Sequence, residues 1–84
     1  MTSIEKQKEL IEIKNNIASF FTESDWIELG YCLGSYEIIQ KHPRLLKSLK
    51  FEDDDYEGNI LKVLSSLIEK DSENFIEIRL YLHK

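Results

Sequence analysis

Residues 22–34, TESDWIELGYCLG, contain the signals of one complete helix and decide how the rest of the chain is divided. Thr22 is a preferred N-cap residue, and the acids that follow it suit the positive end of a helix. Gly34 tolerates the left-handed conformation in which helices often end. The apolar residues between these ends are spaced by three and four positions: Trp26, Leu29 and Leu33. The segment therefore predicts a capped helix with one buried face.

The same helical spacing continues on both sides of this segment. Before it, a first helix is predicted over roughly residues 3–21. After it, Ser35 can cap a short third helix, which must end near His42 because Pro43 disfavours helical backbone in the residue before it. Pro43 itself suits the first turn of a fourth helix, over about residues 43–49.

The last third of the chain predicts two more helices. Residues 53–55 are acids that can cap and charge the start of a fifth helix, and Asp71 or Ser72 can start the last one. Phe51 is expected to plug the loop between the fourth and fifth helices. The predicted core consists of Leu10, Ile13, Ile17, Phe20, Trp26, Leu29, Leu33, Ile39, Leu46, Leu49, Ile60, Leu64, Leu67 and Ile78. The prediction is one all-α domain over residues 1–84, a compact bundle of five to six helices.

The composition excludes several classes of protein. With 42% hydrophobic and 32% charged residues, the chain has the balance of a folded domain. Its net charge of −5 disfavours nucleic acid and anionic membranes as partners. No apolar run is long enough to span a bilayer, and the first residues contain no apolar signal segment. One cysteine permits no internal disulfide, so we expect a cytoplasmic protein without a membrane partner.

The residues that could carry catalysis are few. Cys32, His42 and His83 are the only thiol and imidazoles, and no two of them have metal-ligand spacing. Cys32 falls inside a helical pattern, so we expect a small core or boundary residue. A calcium loop starting at Asp53 fails because its twelfth position, which should be a glutamate, is Leu64. We expect no enzyme activity, no cofactor, no metal and no small-molecule substrate.

Charge is segregated along the chain. No acid lies between Glu37 and Glu52, but that interval holds four bases spaced by three, the basic strip: Lys41, Arg44, Lys47 and Lys50. Two acidic clusters accompany it. The 53–55 acids follow directly: Asp53, Asp54 and Asp55. The second-helix acids come earlier: Glu23, Asp25 and Glu28.

This segregation has two interpretations. One is a solvated surface with weak local ion pairs. The other is a pair of complementary patches that bind between molecules, in which case the loop at Phe51 lets the basic strip and the 53–55 acids face different ways. When two different patches of each molecule bind head to tail, the molecules assemble into closed rings or open helical filaments. The 53–55 acids are the preferred partner of the basic strip, and the second-helix acids are the alternative.

Two segments carry a resemblance to a known family. Trp26, Leu29 and the Leu33-Gly34 pair resemble the second-helix region of the death-fold superfamily. The sequence HPRLLKSL at 42–49, followed by DDDY at 53–56, is similar to death-like, effector-associated adaptor domains of bacterial anti-phage systems. The resemblance implies a non-enzymatic adaptor of immunity or cell-death signalling. Its partner would be a second copy, as a head-to-tail homo-oligomer, or a homologous domain fused to an effector.

A second family remains as an alternative. Small acidic helical immunity proteins that inhibit basic toxins have a similar size and charge, and also contain a His-Pro pair near an acidic run. Their specificity depends on an exposed Tyr-Tyr pair before the acids, whereas this sequence has Tyr56 after them. Binding of nucleic acid by the basic strip would require neighbouring aromatic residues, and only Phe51 qualifies.

Overall fold

A computed structural model describes residues 3–83, and the secondary structure there consists of six α-helices. Their bounds are α1 (Ser3–Phe20), α2 (Glu23–Cys32), α3 (Tyr36–Gln40), α4 (Pro43–Lys50), α5 (Tyr56–Lys70) and α6 (Asn74–Leu82). The predicted all-α bundle of five to six helices is confirmed.

Helix α5 is the centre of the bundle because it packs against α1, α3, α4 and α6. Its buried residues recur at helical spacing and lie on the sides of α5 that contact these helices: Tyr56, Asn59, Ile60, Val63, Leu64 and Leu67. The fully buried Ile17 of α1 and Trp26 and Leu29 of α2 belong to the same core cluster. A single apolar cluster therefore holds the helices together.

The start of α2 is closed by a reciprocal pair of hydrogen bonds between Thr22 and Asp25. The Thr22 hydroxyl accepts from the backbone N–H of Asp25 at 3.4 Å, and the Asp25 carboxylate accepts from the backbone N–H of Thr22 at 2.9 Å. This arrangement is a capping box, which satisfies two donors that a bare helix end would leave open. The predicted N-cap is confirmed.

The end of α2 is a Schellman turn, and the predicted stop at Gly34 is confirmed. The N–H of Ser35 donates to the carbonyl of Gly30 at 2.9 Å, and the N–H of Gly34 donates to the carbonyl of Tyr31 at 3.1 Å. Gly34 has φ +62°, a conformation that glycine adopts without steric cost.

Helix α4 ends in the same way without a glycine. The N–H of Asp53 donates to the carbonyl of Ser48 at 2.9 Å, and that of Glu52 donates to Leu49 at 3.3 Å. Glu52 has φ 54°, which among the described residues is the only positive φ outside glycine. A side chain at that φ is strained, so the turn after α4 carries a local cost that the turn after α2 avoids.

The first helix buries Phe21 in the core in place of the predicted Phe20. Phe20, expected in the core, is 77% exposed, whereas Phe21 is only 8% exposed. Phe21 lies four residues after Ile17 and donates its N–H to the Ile17 carbonyl at 2.9 Å, so it stays on the buried face of α1. Its ring meets the Trp26 ring edge to face, with centroids 5.2 Å apart. The prediction for Phe20 is therefore wrong.

Three further details differ from the sequence predictions. Phe51 does not plug a loop but is 62% exposed at the end of α4. Cys32 is exposed because it lies four residues after the exposed Glu28 on the outer side of α2. The last helix begins at Asn74, three residues after Asp71, and is preceded by a turn.

Side chains of α4 and α5 lock these two helices together. The Asn59 amide donates to the Ser48 hydroxyl at 3.1 Å and to the backbone carbonyl of Arg44 at 3.4 Å. The Ser48 hydroxyl in turn donates to the carbonyl of Leu45 at 2.9 Å. Because Leu45, Ser48 and Asn59 are buried, this contact fixes which side of α4 faces the solvent.

Candidate protein-interaction surfaces

The solvent-facing side of α4 carries bases and one aromatic ring. Leu45 and Ser48 point into the bundle, and the exposed residues on the opposite side form what we call the α4 surface: Arg44, Lys47, Lys50 and Phe51. Helix α4 itself contains no acid, and the exposed Glu52 follows directly after Phe51. The sequence places three of these residues in one strip, and the structure adds Phe51.

Arg44 is bound inside the molecule. Its guanidinium donates to the Asp55 carboxylate at 2.8 and 3.2 Å and to the Asp53 carboxylate at 3.2 Å. The expectation that the basic strip and the 53–55 acids face different ways is wrong for these residues, because the tight turn after α4 brings both aspartates back beside Arg44. Asp55 occupies the N-cap position of α5, but its side chain binds Arg44 and makes no capping bond.

These contacts change the acidity of the groups involved. The hydrogen bond from Arg44 lowers the pKa of the Asp55 carboxyl below its ordinary value. The hydrogen bond to Asp55 also raises the pKa of Arg44. All three side chains remain 40–49% exposed, so the cluster is a solvated ion pair rather than a buried one.

The other members of the basic strip keep their charges available. Lys47 and Lys50 make no side-chain hydrogen bond or ion pair within residues 3–83, and Lys41 makes no ion pair there. The pKa of Glu37 is lowered chiefly by its hydrogen bond from Lys70, at 2.6 Å, with a smaller electrostatic contribution from Lys41. Lys47 and Lys50 are thus the bases of α4 that a partner can neutralise.

Asp54 lies apart from the Arg44 cluster. It is exposed and, with Asp53, borders an open surface groove of about 410 Å³ whose wall includes Glu52 and Glu57. Leu49 also lines this groove. Of the 53–55 acids, only Asp54 is left without an ion pair among the described residues.

The outer side of α2 is the acidic counterpart of the α4 surface. Trp26, Leu29 and Gly30 face the core. The remaining side of the helix contains no base and forms what we call the α2 surface: Glu23, Ser24, Ile27, Glu28, Tyr31 and Cys32. Neither glutamate has an ion pair within residues 3–83.

Asp25, the third second-helix acid, does not belong to the α2 surface. Its carboxylate closes the capping box with Thr22 and also accepts a hydrogen bond from the Tyr81 hydroxyl at 3.3 Å. Asp25 is therefore a structural residue that joins α2 to α6, and its carboxylate is already hydrogen-bonded within the molecule.

Sequence reasoning missed an exposed pair of stacked tyrosines. The rings of Tyr31 and Tyr36 are nearly parallel, 5° apart, with centroids separated by 5.0 Å. Tyr31 is 70% exposed, whereas Tyr36 is half-buried beneath it. The one signal for this stack in the sequence is a glycine inside a helix, Gly30. A Cβ at that position would lie 3.0 Å from Tyr36, which is too close for normal packing.

Metal-ligand clusters and membrane-spanning helices are both absent from the described residues. No group of three or more histidine, cysteine or acidic side chains within residues 3–83 could hold a metal ion. Over the same range, none of the helices combines the length and apolar character that crossing a bilayer requires. Cys32 lies exposed on α2, and Nδ1 of His42 is buried without a hydrogen-bond partner.

Comparison with known proteins gives one match. The family model described as AbiJ N-terminal domain 5 matches residues 2–83. No curated protein and no solved structure matches the chain, so membership of the death-fold superfamily stays a prediction. Because the family model covers nearly the whole sequence, the chain belongs to the AbiJ N-terminal domain 5 family, a family associated with abortive infection as a defence against phage.

Proposed function

We propose that this domain is a non-enzymatic interaction module of an abortive-infection system. It associates with copies of itself, or with a like domain attached to an effector, by placing the α4 surface of one molecule against an acidic surface of another. The family assignment supports the defence role. The observation that carries the interaction role is that unpaired bases and unpaired acids occupy the outer sides of two different helices.

The internal ion pairs favour one acidic cluster over the other as the partner of the α4 surface. Asp53 and Asp55 are both already bound by Arg44, which cancels one of their two negative charges within the molecule. Glu23 and Glu28 on α2 remain unpaired and exposed. The second-helix acids, reduced to these two glutamates, are therefore the better partner for Lys47 and Lys50, with Asp54 as the remaining candidate from the 53–55 acids.

The energetic argument depends on desolvation. Exposed ion pairs contribute little one at a time, at most about 1 kcal/mol. Close charge pairs that are shielded together at an interface couple by about 1.5 kcal/mol or more. Since the α4 and α2 surfaces share no residue, each copy presents both, and the contact can repeat from molecule to molecule.

Light scattering against protein and salt concentration tests this proposal. Wild-type protein is expected to form assemblies that grow with protein concentration and dissolve as salt rises. The double variant Lys47→Glu/Lys50→Glu should stay monomeric, and so should Glu23→Lys/Glu28→Lys. Mixing the two variants should restore a one-to-one complex, because the reversed surfaces match each other.

The matched control reverses two lysines outside the α4 surface. Lys8 on α1 and Lys62 on α5 are exposed and make no side-chain ion pair within residues 3–83. Lys8→Glu/Lys62→Glu changes the net charge by the same amount and should assemble like wild type. Arg44→Glu is a poor test, since it places a third acid beside Asp53 and Asp55 and disturbs the molecule itself.

The acidic inhibitor is a second candidate, favoured by one observation. The α2 surface combines unpaired acids with the exposed Tyr31 ring, a combination suited to a basic protein target. A domain that remains a monomer at every concentration and salt, yet binds a basic protein through Glu23 and Glu28, would replace the self-association proposal with this one.

A further inference from the structure

The Tyr31–Tyr36 stack is built to hold one aromatic ring at the surface in a fixed position. Tyr36 packs closely against α2 because Gly30 has no side chain, and its half-buried ring supports Tyr31 from below. Tyr31 keeps its other ring face open and is 70% exposed. A large ring that is already ordered loses little conformational freedom on binding, which makes it an efficient contact residue.

The surroundings of the stack indicate what binds to it. Glu28 lies one turn before Tyr31 on the α2 surface, and this side of α2 contains no base. A suitable partner therefore has an apolar or aromatic group flanked by cations. The α4 surface presents an aromatic ring with cations on one side: Phe51 is 62% exposed, directly after Lys50 and four residues after Lys47, and the acid Glu52 follows it on the other side.

We infer that Tyr31 is the anchor of a contact with a second copy of this domain, and that its open ring face receives Phe51 of that copy. The lysines beside Phe51 then lie against Glu28, so charge complementarity selects the second copy as the occupant. Two aromatic rings in contact favour an offset-stacked or an edge-to-face arrangement, and we expect one of these for Tyr31 and Phe51. This inference rests on the proposed self-association and adds to it an apolar centre.

A double-mutant cycle measured by sedimentation equilibrium tests the pairing. Tyr31→Ala and Phe51→Ala should each weaken self-association at least about tenfold, as expected for a central aromatic residue. The double variant should be no weaker than either single variant, because both remove the same contact. Tyr31→Phe should associate like wild type. Phe20→Ala is the matched control, since Phe20 is a ring of comparable exposure elsewhere on the molecule.

The outcomes separate this inference from the proposed function. If Lys47→Glu/Lys50→Glu abolishes assembly but Tyr31→Ala assembles like wild type, the charge contact stands and the anchor is wrong. If both alanine variants weaken assembly but their effects add in the double variant, Tyr31 and Phe51 do not meet and the pairing is wrong. A wild-type domain that never associates overturns both. Circular dichroism of each variant confirms that the fold is retained.

Discussion

The indole Nε1 of Trp26 donates a hydrogen bond to the hydroxyl of Tyr56 at 3.0 Å, across thirty residues of sequence. Both side chains are buried, and Trp26 is completely so. The bond joins the first turn of α2 to the first residue of α5, and the ring of Phe21 meets the same indole edge to face. These contacts make Trp26 the meeting point of three segments of the bundle.

Replacing Trp26 with alanine should leave the domain largely unfolded at 37 °C. Truncation of a buried tryptophan costs about 3–5 kcal/mol. That is a large part of the roughly 5–15 kcal/mol that stabilises a domain. Thermal unfolding followed by circular dichroism measures the loss. As a control, Phe20→Ala removes an exposed ring and should leave the melting temperature nearly unchanged. If Trp26→Ala melted at the wild-type temperature, the packing described above would be contradicted.

Tyr56→Phe should destabilise the fold by about 1–3 kcal/mol at pH 7, because it leaves the buried indole N–H without its acceptor. The ring itself stays, so packing changes little. Urea unfolding gives the free energy. Tyr31→Phe removes a hydroxyl from an exposed tyrosine and serves as the control, with an expected change close to zero. Equal stability of the two variants would show that the Trp26–Tyr56 bond contributes nothing.

Tyr56 also predicts a loss of stability in alkali. Burial raises its pKa above the ordinary value of 10.0, and this effect outweighs the opposite one of the Trp26 hydrogen bond. The folded state therefore keeps the proton longer than the unfolded state does. The resulting stabilisation is complete below pH 10 and is lost as the pH rises through the folded pKa. In Tyr56→Phe the unfolding free energy should decline less steeply above pH 10, and parallel curves would contradict this.

The Arg44–Asp55 contact predicts an acid-sensitive contribution. Because Arg44 lowers the pKa of Asp55 below 3.8, the folded state releases that proton more readily than the unfolded state. The stabilisation is present above about pH 4 and disappears as the pH falls through the folded pKa. Between pH 7 and pH 3, wild type should lose more unfolding free energy than Arg44→Gln. As a control, Lys62→Gln removes the charge of an exposed lysine without an ion pair and should behave like wild type. If Arg44→Gln and Lys62→Gln lost the same unfolding free energy, a stabilising Arg44–Asp55 contact would be ruled out.

Glycine is expected to be the more stable residue at both Schellman turns, so introducing it at one and removing it from the other should have opposite effects. Glu52→Gly should stabilise the domain by up to about 1 kcal/mol, since it relieves the strain of a side chain at positive φ but makes the unfolded chain more flexible. Gly34→Ala should destabilise it by about 1–2 kcal/mol through the same backbone strain. This strain is the whole expected effect, because no atom within 4 Å would crowd the new methyl group. Urea midpoints of the two variants should move in opposite directions, and a shift in the same direction would be inconsistent with these backbone angles.

The sequence predicts those parts of the fold that depend on neighbouring residues. The cap at Thr22, the stop at Gly34 and the first-turn position of Pro43 are all confirmed, because each is determined within a few residues. The central apolar stripe of α5 follows from helical spacing in the same way. Local chemistry was therefore sufficient to identify the helices and most of the core.

Contacts that depend on the path of the chain could not be predicted. Phe20 and Phe21 both fit the spacing of α1, and only the position of Trp26 selects Phe21. The charge pattern shows Arg44 near two aspartates in sequence, but whether they pair depends on the turn at Glu52, where no glycine signals a reversal. The stacking of Tyr31 on Tyr36 requires the close approach of α2 and α3 at Gly30.

The complete burial of Trp26 has a practical consequence, since it is the only tryptophan in the chain. Its fluorescence therefore reports on one defined place, the junction of α2 and α5, and should shift to longer wavelength when that junction opens to water. None of the surface substitutions proposed above alters Trp26 or Tyr56. The unlabelled protein thus contains an optical probe that reads the state of the core while light scattering reads assembly in the same sample.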